Sequence, residues 1–143
     1  MEFIQNNHIT GTYDYAINFN NTQDAIIDSN ILHPYQDYAI YNSSINSSVI
    51  NNNTIDYGIN NSPNYVKAIR ASNSIIEYNF ISARSGSQNY YAISGNGNTI
   101  QENEIHFSLY YNDRAVISTT SDTHTLIQNN YIEFLGSSGS AIE

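Results

Sequence analysis

The sequence contains no cysteine and no tryptophan, one methionine, two prolines, and only four basic residues against 13 acidic ones. Without cysteine, disulfide frameworks and thiolate metal sites are excluded. Nucleic acids and anionic membranes are bound through rows of Lys and Arg, so a net charge of −9 argues against both as partners. No apolar run approaches the ~20 residues of a transmembrane helix, and we therefore expect no membrane insertion.

Leucine is also scarce, with four residues in 143, whereas asparagine occurs 23 times, isoleucine 22 times and tyrosine 13 times. Isoleucine and tyrosine favour strands and asparagine favours turns, which argues against a helical bundle. A hydrophobic content of 40% argues against a disordered chain. The length fits one domain, and we predict a single domain over residues 1–143.

An internal repeat runs through the whole chain. Its first pattern is an aliphatic residue, two variable residues, Asn, one variable residue and a second aliphatic residue. Copies begin at Ile4, Ile27, Ile50, Ile76, Ile100 and Ile127, so the spacing is 23 to 27 residues. A second pattern, Ala followed by an aliphatic residue, lies between these copies at Ala16, Ala39, Ala68, Ala92, Ala115 and Ala141.

Each repeat thus carries three short apolar stations separated by polar turns, and the stations suit strands of about 3–5 residues. Three strands per repeat predict an all-β, right-handed, single-stranded parallel β-helix solenoid of about six coils. Asn tolerates the left-handed backbone of a tight bend, and stacked Asn side chains can bond to one another along the rod. We therefore predict a structural ladder at one turn, formed by Asn7, Asn30, Asn53, Asn79, Asn103 and Asn130.

Segments such as residues 98–105 (NTIQENEI) and 53–55 (NTI) resemble the parallel β-helix repeats of the pectate-lyase-like superfamily. Within it they resemble most the NosD-type repeats found in adhesin-like surface proteins of methanogenic archaea. The resemblance implies the fold over essentially the whole chain and an extracellular or cell-surface location. Enzymes of the superfamily carry an acidic cluster beside the long loops, so such a cluster must be sought here. The copper link of some NosD-type proteins does not carry over, because no Met or His cluster is present.

The loops that precede the second pattern vary in length and are rich in Tyr and Asp, and stacking should align them on one side of the rod. Tyrosine offers a flat apolar face and a hydroxyl, which suit a glycan or a protein partner. We predict ligand-binding roles for Tyr13, Tyr35, Tyr90, Tyr110 and Tyr111. Tyr15, Tyr38 and Tyr91 are instead expected to fill the core near the bend. Strand alternation would turn the alanines outward as the floor of a groove, unless the bend is simply too tight for larger residues.

Catalysis would require acidic residues in this groove. The best candidates are Asp14, Asp37 and Asp113, with Arg114 beside the last of them. Asp14 and Asp37 lie on adjacent coils, so their carboxylates could be about 5–7 Å apart, as acid/base hydrolysis requires. Asp113 is three coils further on, and the arginines are scattered over different coils. We therefore assign no catalytic residue.

Histidine could contribute a metal ligand. Stacking makes His33 a neighbour of Asp56, and His106 a neighbour of Glu133, but two ligands are short of a site. We predict a polar ladder here, with no metal and no cofactor.

The repeats begin at residue 4 and stop within a coil, and no cap is visible. This favours a module of a longer solenoid, or end-to-end self-association. The leading prediction is a non-catalytic extracellular or cell-surface module for adhesion or fibre structure, with a glycan or a cell-surface protein as partner. The alternative is a polysaccharide-acting enzyme (a hydrolase, lyase or epimerase) using Asp14 and Asp37. A phage fibre piece, which would be trimeric, is a third possibility.

Overall fold

A computed structural model describes residues 1–12, 14–20, 22, 24–35, 37–42, 47–58, 66–85, 90–109, 115–119, 124–136 and 139–143. These residues form eighteen strands, numbered β1 to β18 in chain order, and no helix. Within the same ranges, nothing forms a helix long and apolar enough to cross a membrane.

The strands form three parallel sheets of six, because each coil contributes one strand to each sheet. The first sheet contains β1 (Glu2–Gln5), β4 (Ala25–Asp28), β7 (Ser48–Asn51), β10 (Ile75–Glu77), β13 (Thr99–Gln101) and β16 (Leu126–Gln128). The second contains β2 (His8–Thr10), β5 (Ile31–His33), β8 (Thr54–Asp56), β11 (Phe80–Ser85), β14 (Glu104–Leu109) and β17 (Tyr131–Gly136). The third contains β3 (Tyr15–Asn18), β6 (Asp37–Tyr41), β9 (Val66–Arg70), β12 (Tyr90–Ser94), β15 (Ala115–Ser118) and β18 (Ser140–Ile142). The predicted all-β parallel solenoid is confirmed.

The core is built from columns of aliphatic side chains that occupy the same position in successive coils. In the first sheet Ile27 pairs with Ile50, which pairs with Ile76 and then Ile100, and all four are buried. The other two sheets repeat this arrangement with columns centred on Ile55 and Ile69. Each side chain therefore packs between identical or similar neighbours at the strand spacing, and no single coil could bury its own aliphatic residues.

About four turns have a closed interior, rather than the six that we predicted. The ladder asparagines of these turns are 1–2% exposed. In the first turn Ile4 and Ile9 are only partly buried, and in the last Ile127 and Ile132 are too. A coil stacks on each of these two turns from one side only, so their side chains keep solvent contact.

The asparagine ladder is present and fully bonded in its interior. The Oδ1 of Asn53 accepts from the backbone N–H and the Nδ2 of Asn30, at 3.0 and 2.9 Å. The Nδ2 of Asn53 donates to the Oδ1 of Asn79, to the carbonyl of Ile27 in the preceding coil, and to the carbonyl of Asn51 in its own coil. Each rung thus joins three successive coils. The end rungs Asn7 and Asn130 make the same kind of bond from one side.

The left-handed residue at this turn is not the ladder asparagine, which corrects our expectation. It is the residue before it, with φ between 54° and 59° in every coil: Asn6, Ser29, Asn52, Tyr78, Glu102 and Asn129. The physical reason is that the ladder side chain must point into the turn, which the preceding residue's positive φ arranges. The ladder position needs an amide, whereas the position before it only needs to tolerate strain.

The alanine column is buried, so the predicted outward groove floor is wrong. Ala39, Ala68 and Ala92 are 0% exposed, and so are the isoleucines that follow them. The strand pairing skips these alanines: Tyr38 pairs with Lys67, and Ile40 with Ile69. The strand bends at this corner, so two consecutive side chains point inward and the usual alternation of side chains between the inner and outer faces is interrupted.

The fifth coil differs from our alignment of the repeats by one residue. Ile93 pairs with Ile117, and Ile117 pairs with Ile142, so Val116 and not Ala115 takes the alanine position. Val116 is fully buried there. The corner therefore accepts a side chain larger than alanine.

The ladder predicts a large difference between interior and end rungs. Replacing Asn53 with Ala removes the acceptor of two N–H groups and leaves two carbonyls without their hydrogen-bond donor. We therefore expect the free energy of unfolding to fall by about 3–5 kcal/mol. Asn7→Ala, at an exposed rung, should cost about 1 kcal/mol. Urea unfolding followed by circular dichroism measures both. Equal losses at the two rungs would show that burial of the ladder is not what stabilises the coil.

The left-handed position predicts a stabilising substitution. Tyr78 is 55% exposed and has a φ of 54°, a conformation that costs a non-glycine residue roughly 1–2 kcal/mol and that Asn tolerates better. Tyr78→Asn should therefore stabilise the fold by about 0.5–1 kcal/mol. The matched control is Tyr131→Asn, at a strand residue that is 58% exposed, where Asn is disfavoured. A gain at both positions would rule out relief of backbone strain as the cause.

Candidate functional site

The outer face of the third sheet gathers residues from five coils into two columns. Strand pairing places Tyr15, Tyr38, Lys67 and Tyr91 in the first column. The second column contains Asn18, Tyr41, Arg70, Ser94 and Ser118. Both columns lie on one face because the two buried residues at the corner separate them. We call the group Tyr15, Tyr38, Tyr41, Lys67 and Arg70 the tyrosine–cation face.

Three tyrosine rings form a compact cluster on this face. The rings of Tyr15 and Tyr38 are stacked, with centroids 5.8 Å apart and planes 12° apart. The ring of Tyr41 lies 4.8 Å from each of them, in tilted contact. Tyr15 is 39% exposed, so the outermost ring offers its flat surface to solvent. Such a surface can stack against a sugar ring.

Two cations lie against these rings. The Lys67 Nζ is 4.9 Å from the centroid of Tyr38, and the Arg70 guanidinium carbon is 5.7 Å from that of Tyr41. Arg70 also donates from Nη1 to the Tyr38 hydroxyl at 3.3 Å, and this bond raises the pKa of the Arg70 guanidinium despite its partial burial. Cation–π contacts fix the direction of both side chains without neutralising them. Half of the four basic residues of this acidic chain therefore lie on one strand, β9, side by side.

Asp37 lies at the edge of the same face in an unusual environment. Its backbone has a φ of 62°, and its carbonyl accepts a 2.7 Å bond from the buried hydroxyl of Tyr57. Its Oδ1 is 3.9 Å from the Lys67 Nζ, and the described residues give that oxygen no hydrogen-bond donor. Burial raises the pKa of the Asp37 carboxyl, Lys67 partly lowers it, and the charge of Asp14 on the adjacent coil adds to the rise. The predicted proximity of Asp14 and Asp37 is consistent with this influence.

A cleft of about 280 Å³ continues the face towards the later coils. Lys67 and Arg70 line it together with the ring of Tyr91 and polar groups of Ser94, Asn96 and Ser118. Cations, hydroxyls and an amide therefore converge beside an aromatic surface. This set can hold an anionic group by charge and hydrogen bonds while a neighbouring ring stacks on tyrosine.

Most of the tyrosines that we predicted as ligand-binding lie outside the described residues. Tyr13, Tyr110 and Tyr111 fall in the undescribed ranges, as do Asp113 and Arg114. Tyr90 belongs to β12, but its side chain is outside the description. Tyr35 is described and is 43% exposed. Its ring lies beside Gly11 of the preceding coil.

Of the three tyrosines that we expected in the core, Tyr38 is buried, at 7% exposed, and packs against Tyr41 and the two cations. Tyr15 is instead exposed, and Tyr91 lines the cleft. Sequence reasoning also missed Lys67 and Tyr41, and it assigned Arg70 no role because the arginines lie on different coils. Aligning the residues that flank each Ala-aliphatic pair would have found them, because these flanking residues form the two columns.

A second polar cluster lies on the outer face of the second sheet. His106 bonds to Glu104 through Nε2 and to Glu133 through Nδ1, each at 2.7 Å, which confirms the predicted contact with Glu133. His33, in contrast, approaches the backbone carbonyl of Asp56 at 3.3 Å, not its carboxylate. In the described part of the chain, no group of three His, Asp or Glu side chains could hold a metal ion. The two glutamates contact opposite nitrogens of the ring and so do not converge.

Comparison with known proteins finds no matching family model, curated protein or solved structure. Function is therefore inferred from the geometry of the outer faces of the three sheets.

The His106 cluster predicts a pH-dependent link between the last two coils. Hydrogen bonds to Glu104 and then Glu133 raise the pKa of His106 above its ordinary value. A raised folded-state pKa contributes stability that is fully present below the unfolded pKa of about 6.5 and is lost as pH rises through the folded value. The thermal midpoint should therefore fall from about pH 6 to about pH 9, and His106→Gln should flatten that fall.

The control for this measurement is His33→Gln, because the bond that His33 makes to Asp56 goes to the backbone carbonyl and not to the carboxylate. It should leave the slope of thermal midpoint against pH as in the unmodified chain. An unchanged slope in His106→Gln would exclude the two glutamate bonds as its source.

Proposed function

We propose that this chain is a rigid, non-catalytic binding module that takes an acidic polysaccharide on the tyrosine–cation face. The observation that carries the proposal is the position of Lys67 and Arg70, held side by side against tyrosine rings and open to a cleft. Three coils contribute to the face and the cleft continues over the next two, so the dimensions suit an extended chain better than a small molecule. The partner would be a polymer with anionic groups spaced along it.

Net charge does not prevent this binding. The chain carries −9, which repels a polyanion at long range, but at physiological salt the Debye length is about 8 Å. Acids on the other two sheets are therefore largely screened at the third. At contact distance the two cations dominate, and Asp37, the acid at the edge of the face, is already opposed by Lys67.

An extracellular or cell-surface location, within a longer adhesin or fibre protein, belongs to the same proposal. It rests on the resemblance of the repeats to NosD-type repeats of the pectate-lyase-like superfamily, as in adhesin-like proteins of methanogenic archaea. A stiff solenoid with a ligand-binding face is suited to adhesion, because the rod displays the face at a fixed orientation. A cell-surface protein bearing acidic glycans would be an equivalent partner.

A polysaccharide-acting enzyme is the second candidate, and one observation favours it. Asp37 combines a raised carboxyl pKa, a strained backbone and a buried Oδ1 that lies 3.9 Å from the Lys67 Nζ and receives no hydrogen bond from the described residues. Such features occur at catalytic acids. Asp14 would be the second carboxylate.

The binding proposal is tested by removing the cations one at a time. Lys67→Met and Arg70→Met should each weaken binding of polygalacturonate or alginate about tenfold, as expected for a lost charge-assisted contact. Arg84→Met is the matched control, because Arg84 is exposed on β11 of the second sheet and its loss changes net charge equally. Isothermal titration calorimetry or affinity electrophoresis gives the affinities.

Two results would contradict this proposal. If Arg84→Met weakens binding as much as the other two variants, charge acts non-specifically and the tyrosine–cation face is not the site. If mass spectrometry shows oligosaccharides released by the unmodified chain and none by Asp37→Asn, the chain is an enzyme.

A further inference from the structure

An apolar stripe runs the whole height of the outer face of the first sheet. Strand pairing stacks one outward residue from each coil in a single column: Phe3, Ile26, Val49, Ile75, Thr99 and Leu126. Phe3 is 60% exposed, Leu126 49% and Ile75 42%, while the remaining three are partly buried. Five of the six side chains in this column are apolar, whereas the comparable outward column of the second sheet interrupts Ile31, Phe80 and Tyr131 with His8, Thr54 and Glu104. Exposed apolar arrays of this kind mark interaction surfaces.

A polar column flanks the stripe two residues further along each strand. It contains Gln5, Asp28, Asn51, Glu77, Gln101 and Gln128. On the other side a shallow apolar groove of about 290 Å³ is bordered by Asp24, Ser47 and Asn73. The face therefore has an apolar centre between two polar margins, which is the anatomy of a protein interface.

We propose that this stripe binds a second copy of the chain, face to face, with the two rods antiparallel. The two-fold axis runs parallel to the strands and passes between the third and fourth coils. Coil one then faces coil six of the partner copy, coil two faces coil five, and coil three faces coil four. In this arrangement the stripe meets the stripe, with Val49 against Ile75 at the centre, and the polar column meets the polar column.

The order of charges along the polar column selects this arrangement. Antiparallel rods place Asp28 opposite Gln101, and Glu77 opposite Asn51, so each acid faces an amide. Within one copy Gln101 already donates one N–H to Glu77, at 2.7 Å, and its second N–H is left for the partner's Asp28. The terminal pair, Gln5 and Gln128, is amide against amide. No acid in the column therefore faces another acid.

Parallel rods would give the opposite result. A two-fold axis along the rod makes each coil face itself and brings the polar column onto the opposite margin of the partner. Asp28 would then meet Asp24 of the other copy, and the same contact would occur twice. Like charges at an interface oppose association, so the antiparallel dimer is favoured.

The size of the face predicts a weak dimer. Six strands at about 4.8 Å and four residues at about 3.3 Å give a footprint of roughly 350 Å² per copy. Stable complexes bury about 800 Å² per partner. We therefore expect reversible association that depends on concentration, in the micromolar range or weaker. The site lies on the first sheet, away from the tyrosine–cation face, so this inference is independent of the proposed glycan binding.

Sedimentation velocity from about 10 µM to about 1 mM tests the dimer over that range. The unmodified chain should shift from monomer to dimer, and Ile75→Lys should keep it monomeric throughout. The matched control is Ile31→Lys: Ile31 is 43% exposed and also begins a strand, but it lies on the second sheet. Because both side chains point outward, both variants should fold, which circular dichroism verifies.

Two further variants test the orientation. Gln101→Lys places a cation opposite Asp28 and should tighten the dimer several-fold at low salt, with the gain lost in high salt. Gln128→Lys adds the same charge to the same column but faces Gln5, and it should have little effect. A chain that stays monomeric at every concentration overturns the proposal, as does loss of dimer in Ile31→Lys. Equal effects of the two lysine variants overturn the antiparallel orientation.

Discussion

The buried asparagine ladder is the interaction on which the rest of the structure depends. Each interior rung satisfies donors and acceptors from three successive coils, and these groups are 1–2% exposed. A coil that slipped by one residue would break five hydrogen bonds at one rung. The buried donors and acceptors left without a partner would each cost about 1–3 kcal/mol. The ladder therefore fixes the register of every sheet together with the buried aliphatic columns, which a one-residue slip would turn to the outer face.

Fixed register converts sequence periodicity into surface columns. Residues 23 to 29 positions apart in the chain become neighbours at the strand spacing. Tyr38 thus contacts Lys67 although the loop that joins their coils lies outside the described residues, and no short sequence motif predicts this contact. Function in such a fold lies in the outward positions, which the core leaves free to vary, whereas the ladder and the aliphatic columns allow little change.

This division explains what the sequence could and could not reveal. The repeat of Asn and aliphatic residues predicted the solenoid, the strand number per coil and the six ladder positions, because each of these is fixed by buried groups. The left-handed residue was assigned to the wrong position because a positive φ only biases which residue types occur there. Tyr78 and Glu102 adopt it here, although neither residue type indicates it. The tyrosine–cation face was missed because a corner turns Ala39 and Ile40 inward together, which breaks the alternation used to sort inner from outer residues.

The three outer faces carry different chemistry, although all are built on the same coil. The third sheet concentrates cations and aromatic rings, the first presents an apolar stripe, and the second carries the bonded His106 cluster. Because the sheets face different directions, association through the first would leave the third open. An antiparallel pair would then display two tyrosine–cation faces, and two weak sites on one rigid body bind a repetitive polymer more tightly than either alone. Such a gain requires both sites to reach the same polymer, which a stiff solenoid permits only at a fixed spacing.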